Sequence, residues 1–155
     1  MRNLLKRNLL KLTSVLTVIL LSCAVAEALC VKVQVANMRS GPGTHYSVLW
    51  EVNRHMPFVK VGRSSSGDWY AVRDLENDVM WIHKSLVTNH YRCAVVKSDK
   101  VNIRKGPGTK YAKSNAGPAM KYYSFKVLKT KGQWVRVKND WEGEGWIHRD
   151  HLWMP

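Results

Sequence analysis

A ten-residue block that returns 65 positions later limits this chain more than any other feature. Asn37-Met38-Arg39-Ser40-Gly41-Pro42-Gly43-Thr44-His45-Tyr46 recurs as Asn102-Ile103-Arg104-Lys105-Gly106-Pro107-Gly108-Thr109-Lys110-Tyr111. The same offset carries Gly67 to Gly132, Trp69 to Trp134 and Val72 to Val137. It also carries Trp81-Ile82-His83 to Trp146-Ile147-His148. Matches in unchanged order at both ends of a block of about 50 residues mark a duplicated module.

Each copy reads as β structure. Val31-Lys32-Val33-Gln34-Val35 alternates apolar and polar residues and predicts a half-buried strand. Phe58–Val61 and Trp69–Val72 predict two more, with Ser64–Asp68 as a hairpin loop between them. In the second copy, Tyr123–Leu128 and Trp134–Val137 flank a turn at Lys131-Gly132. Pro42 fixes φ near −65°, so Gly43 is expected to take the positive φ of a type II turn, and Gly106-Pro107-Gly108 repeats the device. A module of roughly 60 residues buries only a modest share of its surface, so Trp69, Trp81, Trp134 and Trp146 are expected to fill much of each core. Short strands with frequent turn signals predict small barrels.

The pattern N-x-R-x-G-P-G-T-x-Y, followed by G-x-W and a closing W-I-H, resembles the bacterial SH3-like domain family, and both copies fit it. The resemblance implies an all-β chain: two tandem small SH3-like β-barrels, over residues 31–90 and 91–155, after an N-terminal signal peptide. Members of the family serve in exported or envelope proteins, and some attach cell-wall hydrolases to peptidoglycan. The first copy keeps Val48-Leu49-Trp50 after the turn and Pro57 before the next strand. The second has Ala112–Gly117 there, without a tryptophan, and then Pro118. Asp78-Val79-Met80 precedes W-I-H in the first copy, where the second has Gly143-Glu144-Gly145.

Residues 1–28 read as a leader. Arg2, Lys6, Arg7 and Lys11 precede an apolar run from Leu12 to Leu21, and Ala24-Val25-Ala26-Glu27-Ala28 follows. A basic start, a short apolar centre and an A-x-A exit form a secretory signal peptide, with cleavage after Ala26 or Ala28. The apolar centre is short for a membrane span of about 20 residues, although an uncleaved anchor is the alternative. Leu20-Leu21-Ser22-Cys23 also resembles a lipobox, which would lipidate Cys23. Either route leaves Cys30 and Cys93, a pair suited to a disulfide in an oxidising compartment, or else two buried thiols. A bridge would tie the start of one module to the start of the other.

The whole chain carries a formal charge of +14. Without residues 1–28 it retains 21 basic and 10 acidic residues, a net +11. Such a chain is drawn to anionic surfaces, and export turns that expectation from nucleic acid toward envelope components. A periplasmic location and no membrane span in the mature chain are expected. No metal or nucleophile motif occurs: there is no H-E-x-x-H, C-x-x-C, G-x-S-x-G or phosphate-binding glycine loop. Asp140, Glu142 and Glu144 cluster at what reads as an exposed hairpin tip. No enzyme activity, cofactor or metal is expected.

Binding is the remaining function. Candidate ligand contacts in the first copy are Arg39, Tyr46, Trp50 and Trp69, with Trp81 and His83 nearby. In the second they are Arg104, Tyr111, Trp134, Trp141 and His148. Arg grips carboxylates through paired hydrogen bonds, as in peptidoglycan stem peptides, while Tyr and Trp offer flat apolar faces. Each candidate has a structural alternative: the repeated tryptophans as core, Arg39 and Arg104 as braces for their turns, and the histidines as local hydrogen-bonding groups. Trp50 and Trp141 stand apart because neither has a counterpart in the other copy. Two functions follow: recognition of peptidoglycan or another anionic envelope component, or an adaptor binding another envelope protein through apolar surface near Trp50 or Trp153.

Overall fold

A computed structural model describes residues 26–141 and 143–155. The leader reading falls on residues outside this range up to 25, as does Cys23. The described chain forms two antiparallel sheets of seven strands each. The first contains β1 (Glu27–Val31), β2 (Val35–Arg39), β3 (Val48–Asn53), β4 (Pro57–Arg63), β5 (Trp69–Arg73), β6 (Val79–His83) and β7 (Val87–Thr88). The second contains β8 (Cys93–Val96), β9 (Lys100–Arg104), β10 (Lys113–Met120), β11 (Ser124–Lys131), β12 (Trp134–Lys138), β13 (Glu144–His148) and β14 (Leu152–Trp153). Their orders, β3-β2-β6-β5-β4-β1-β7 and β10-β9-β13-β12-β11-β8-β14, are the same topology twice.

The first sheet begins at Glu27, and its opening strand differs from the one expected. Val31–Val35 is not one strand: β1 ends at Val31, β2 begins at Val35, and residues 32–34 cross between them. The backbone explains the break, because Lys32 N–H donates to Leu86 and Arg54 N–H to Gln34, both outside the sheet ladder. Glu27 and Ala28 belong to β1, opposite Lys60 and Val59.

The cores are built on Phe58 and Phe125, both fully buried, among valines, methionines and isoleucines. The repeated tryptophans contribute less than expected. Only Trp146 is buried, and Trp69, Trp81 and Trp134 are half-buried. Strand periodicity is the cause: Val135 and Val137 take the inward face of β12, leaving Trp134 and Arg136 on the other.

The Gly-Pro-Gly turns also differ from expectation. Neither Gly43 nor Gly108 takes a positive φ. Gly43 N–H donates to Gly41 at 3.0 Å and Gly108 N–H to Gly106 at 3.0 Å, so each proline sits at the centre of a three-residue γ-turn. Glycine is needed at Gly41 and Gly106 because a ring lies on each: an added Cβ would stand 2.4 Å from Tyr46 or Tyr111.

The modules pack on each other through β1 and β8. Cys30 and Cys93 form a disulfide with Cα atoms 6.0 Å apart. Leu29 and Val31 point into the first core and Cys30 away from it, whereas Ala94 and Val96 fill the second core. Val95, on the opposite face of β8, joins the first core together with Trp153, so Trp153 is not a free apolar patch. At the repeat offset Cys30 matches Val95, not Cys93, so the bridge joins equivalent strands at inequivalent positions. The connection at residues 89–92 is pinned: Asn89 donates to Glu27, Tyr91 OH to Val31 O, and Val127 N–H to Arg92 O.

Two further contacts cross the junction reciprocally. Arg54, in the β3–β4 turn, meets Asp140 in the β12–β13 loop at 3.2 Å. Lys121, in the β10–β11 turn, meets Glu76 in the β5–β6 loop at 2.8 Å. Asp140 therefore serves the junction rather than a bare hairpin tip, and Glu144 pairs with Arg136. Glu142 lies outside the described residues.

Candidate functional site: a duplicated groove

Strand β2 places Arg39 against Trp81 of β6, and β9 places Arg104 against Trp146 of β13. Arg39 Nη1 donates to the carbonyls of Thr44 at 3.0 Å and Tyr46 at 2.7 Å. Arg104 Nη1 does the same to Thr109 at 2.9 Å and Tyr111 at 2.8 Å. Both arginines thus brace their turns, while their half-buried side chains still line a groove. Tyr46 and Tyr111 pack over Gly41 and Gly106 and stay partly exposed, outside that groove.

Across from each arginine stands an edge-to-face pair. Trp69 meets His83 at 5.3 Å and 83°, and Trp134 meets His148 at 5.2 Å and 83°. The register of β5 with β6 and of β12 with β13 puts each pair directly opposite. His83 Nδ1 accepts from Ser85 N–H, and His148 Nδ1 from Asp150 N–H, each capping a short 3-10 turn. A neutral ring that accepts at Nδ1 carries its proton at Nε2 and remains a donor there.

The first groove, about 500 Å³, is lined by Ala36, Asn37, Arg39, Thr44, Trp69 and His83, together with Val35, Glu51 and Leu86. The second, about 200 Å³, is lined by Val101, Asn102, Arg104, Thr109, Trp134, His148 and His151. The shared members correspond at the repeat offset, and His151 occupies the place of Leu86. Glu51, Leu86 and His151 are groove residues that the sequence reading passed over; applying the offset beyond the W-I-H block finds the last two. Ser98 Oγ holds His151 Nδ1 at 2.9 Å.

Of the candidates, Arg39, Trp69 and His83 therefore meet in the first groove, and Arg104, Trp134 and His148 in the second. Trp50 and Trp141 do not. Trp50 packs on the first core and edge-on to Tyr122, and Trp141 lies with Tyr122, Tyr123 and Asn53 at the junction. Among the described residues, no group of three or more His, Cys, Asp or Glu is arranged to hold a metal. No helix of the described chain is long and apolar enough to cross a membrane.

The bacterial SH3 domain model matches residues 32–89 and again 97–154. The chain belongs to the bacterial SH3 domain family. Each match covers six of the seven strands of one sheet, β2 to β7 and β9 to β14, and the paired groove lies within both. No curated protein matches the sequence significantly. Among solved structures, NlpC2 of Trichomonas vaginalis is 13% identical, with a TM-score of 0.36, over 83% of this chain and 48% of its own. NlpC1 of the same organism is 11% identical, with a TM-score of 0.35, over 82% and 45%. An NlpC/P60 family protein from Bacillus cereus ATCC 10987 is 10% identical, with a TM-score of 0.35, over 83% and 56%. The chain spans about half the length of these structures.

Proposed function

We propose that this protein is a non-catalytic, exported binding protein whose tandem SH3 domains recognise peptidoglycan or a related anionic component of the cell envelope. The observation that carries this reading is the recurrence of one Arg–Trp–His groove in both domains. Each groove offers an indole surface, an imidazole and a guanidinium stem, a set suited to an extended polar ligand rather than to bond chemistry. The excess of positive charge favours approach to an anionic polymer.

Retention of the full chain on purified sacculi across a salt series tests the reading. Binding that survives moderate salt and falls in the folded double variant Trp69→Ala/Trp134→Ala supports it. Exposed charges are screened beyond about 10 Å at 0.1 M salt, so binding that salt abolishes equally in both proteins is adhesion alone. That result would favour an adaptor for another envelope protein, which crosslinking in cells would trap.

A further inference from the structure

Two clefts lie on either side of Tyr122, where the domains meet. One, about 340 Å³, takes Asn53 from the first domain and Tyr122, Tyr123 and Trp141 from the second. The other, about 500 Å³, takes Trp50 and Asp78 from the first domain and again Tyr122 from the second. Trp50 and Trp141, neither with a counterpart in the other repeat, thus both lie beside Tyr122, at a place that exists only because the domains pack together.

The Tyr122 ring is held in position. Tyr122 has a left-handed backbone, φ 69°, which few residues other than glycine adopt. Its hydroxyl donates to Glu76 at 3.1 Å, and Trp50 meets its edge at 5.6 Å. The backbone N–H of Trp141 donates to Asn139 Oδ1 at 3.2 Å. Trp141 is nevertheless 57% exposed and Tyr123 39%. Large aromatic faces left in water beside a packed junction mark an interaction surface.

We infer that this aromatic track binds an extended neutral glycan. A sugar ring has an apolar C–H face, which stacks on indole or phenol, and a rim of hydroxyls, which amides and carboxylates satisfy. Asn53 and Asp78 provide such groups beside the rings. A basic peptide fits less well. Of the three carboxylates lining the second cleft, Glu76 is paired with Lys121 and Asp74 is buried and accepts from the Glu76 and Asp78 N–H groups, which leaves Asp78 to meet a ligand. The inference rests on the wall-binding reading for the source of the glycan, not for the chemistry of the site.

The probe is chitotetraose, a tetramer of N-acetylglucosamine, titrated calorimetrically into the full chain at low salt and at about 0.5 M NaCl. Saturable binding indifferent to salt is expected, because the ligand is uncharged. Trp141→Ala should weaken it at least tenfold without altering the melting curve, since the side chain is mostly exposed. Trp50→Phe, which preserves core packing, should weaken it less. Absence of binding, or unchanged affinity in Trp141→Ala, overturns the proposal. Sacculus retention without chitotetraose binding would overturn the glycan track and leave wall binding standing; chitotetraose binding without sacculus retention would do the reverse.

Discussion

Lys121 Nζ lies 2.8 Å from Glu76 Oε1, so a turn of the second SH3 domain holds a loop of the first. Arg54 and Asp140 make the mirrored contact from the equivalent turn and loop. The pairing with Lys121 keeps the Glu76 carboxyl below its ordinary pKa, helped by the Tyr122 hydroxyl. A depressed carboxyl stabilises the fold above its unfolded pKa, near 4.5, and loses that contribution as pH falls through the folded value. Glu76→Gln should therefore flatten the acid end of a stability–pH curve measured by urea unfolding. An unchanged curve would mean that the contact is too solvated to matter.

The disulfide closes a sequence separation of 63 residues. Loop-closure entropy gives such a bridge about 4 kcal/mol. The Cys30→Ser/Cys93→Ser variant should lose stability of this order in urea, with both domains destabilised because Val95 belongs to the first core. Loss confined to one domain would show that the cores melt independently.

His55 lies at the junction against Tyr91, with ring centroids 5.5 Å apart. Burial lowers its pKa, Arg54 and Lys126 add to the effect, and Asp140 opposes it. The unfolded chain therefore takes up a proton at this site before the folded one does. Its contribution is complete above the unfolded pKa of about 6.5 and declines as pH falls below it. His55→Asn tolerates the left-handed backbone, φ 71°, and should remove that part of the decline between about pH 5 and 7. Urea midpoints across this range decide it, and an unaltered slope would assign the dependence elsewhere.

Gly41→Ala should cost about 1–3 kcal/mol, because the new Cβ meets the packed ring of Tyr46. Gly43→Ala should cost less, since its nearest obstacle is the His45 side chain. Equal losses in thermal unfolding would place the constraint in the turn backbone instead.

If the leader is removed, the mature chain should begin at Glu27. Glu27 accepts from Lys60 at 2.7 Å and from Asn89 at 3.2 Å, and cleavage after Ala28 would discard both contacts and two residues of β1. Intact mass of the exported protein separates the alternatives, and a lipidated Cys23 would exclude both.

The duplicated module and most strands were legible because offset matching and two-residue alternation are local signals. The alternation at Val31–Val35 misled because Val31 and Val33 both turn toward the core although the chain changes strand between them. Arg39, Trp69 and His83 share a groove through strand register, and their repetition announced it. The junction was not legible. Its partners lie far apart in the chain, 46 positions for Glu76 and Tyr122 and 86 for Arg54 and Asp140, and fall at sites where the copies differ.

The pinned connection at residues 89–92 leaves no tether between the domains. A flexible linker would let two binding heads search for separate targets, whereas these are held at a single spacing. If the grooves bind as proposed, the protein would act as a caliper: a polymer would engage both grooves when its repeat matched that span, and otherwise only one.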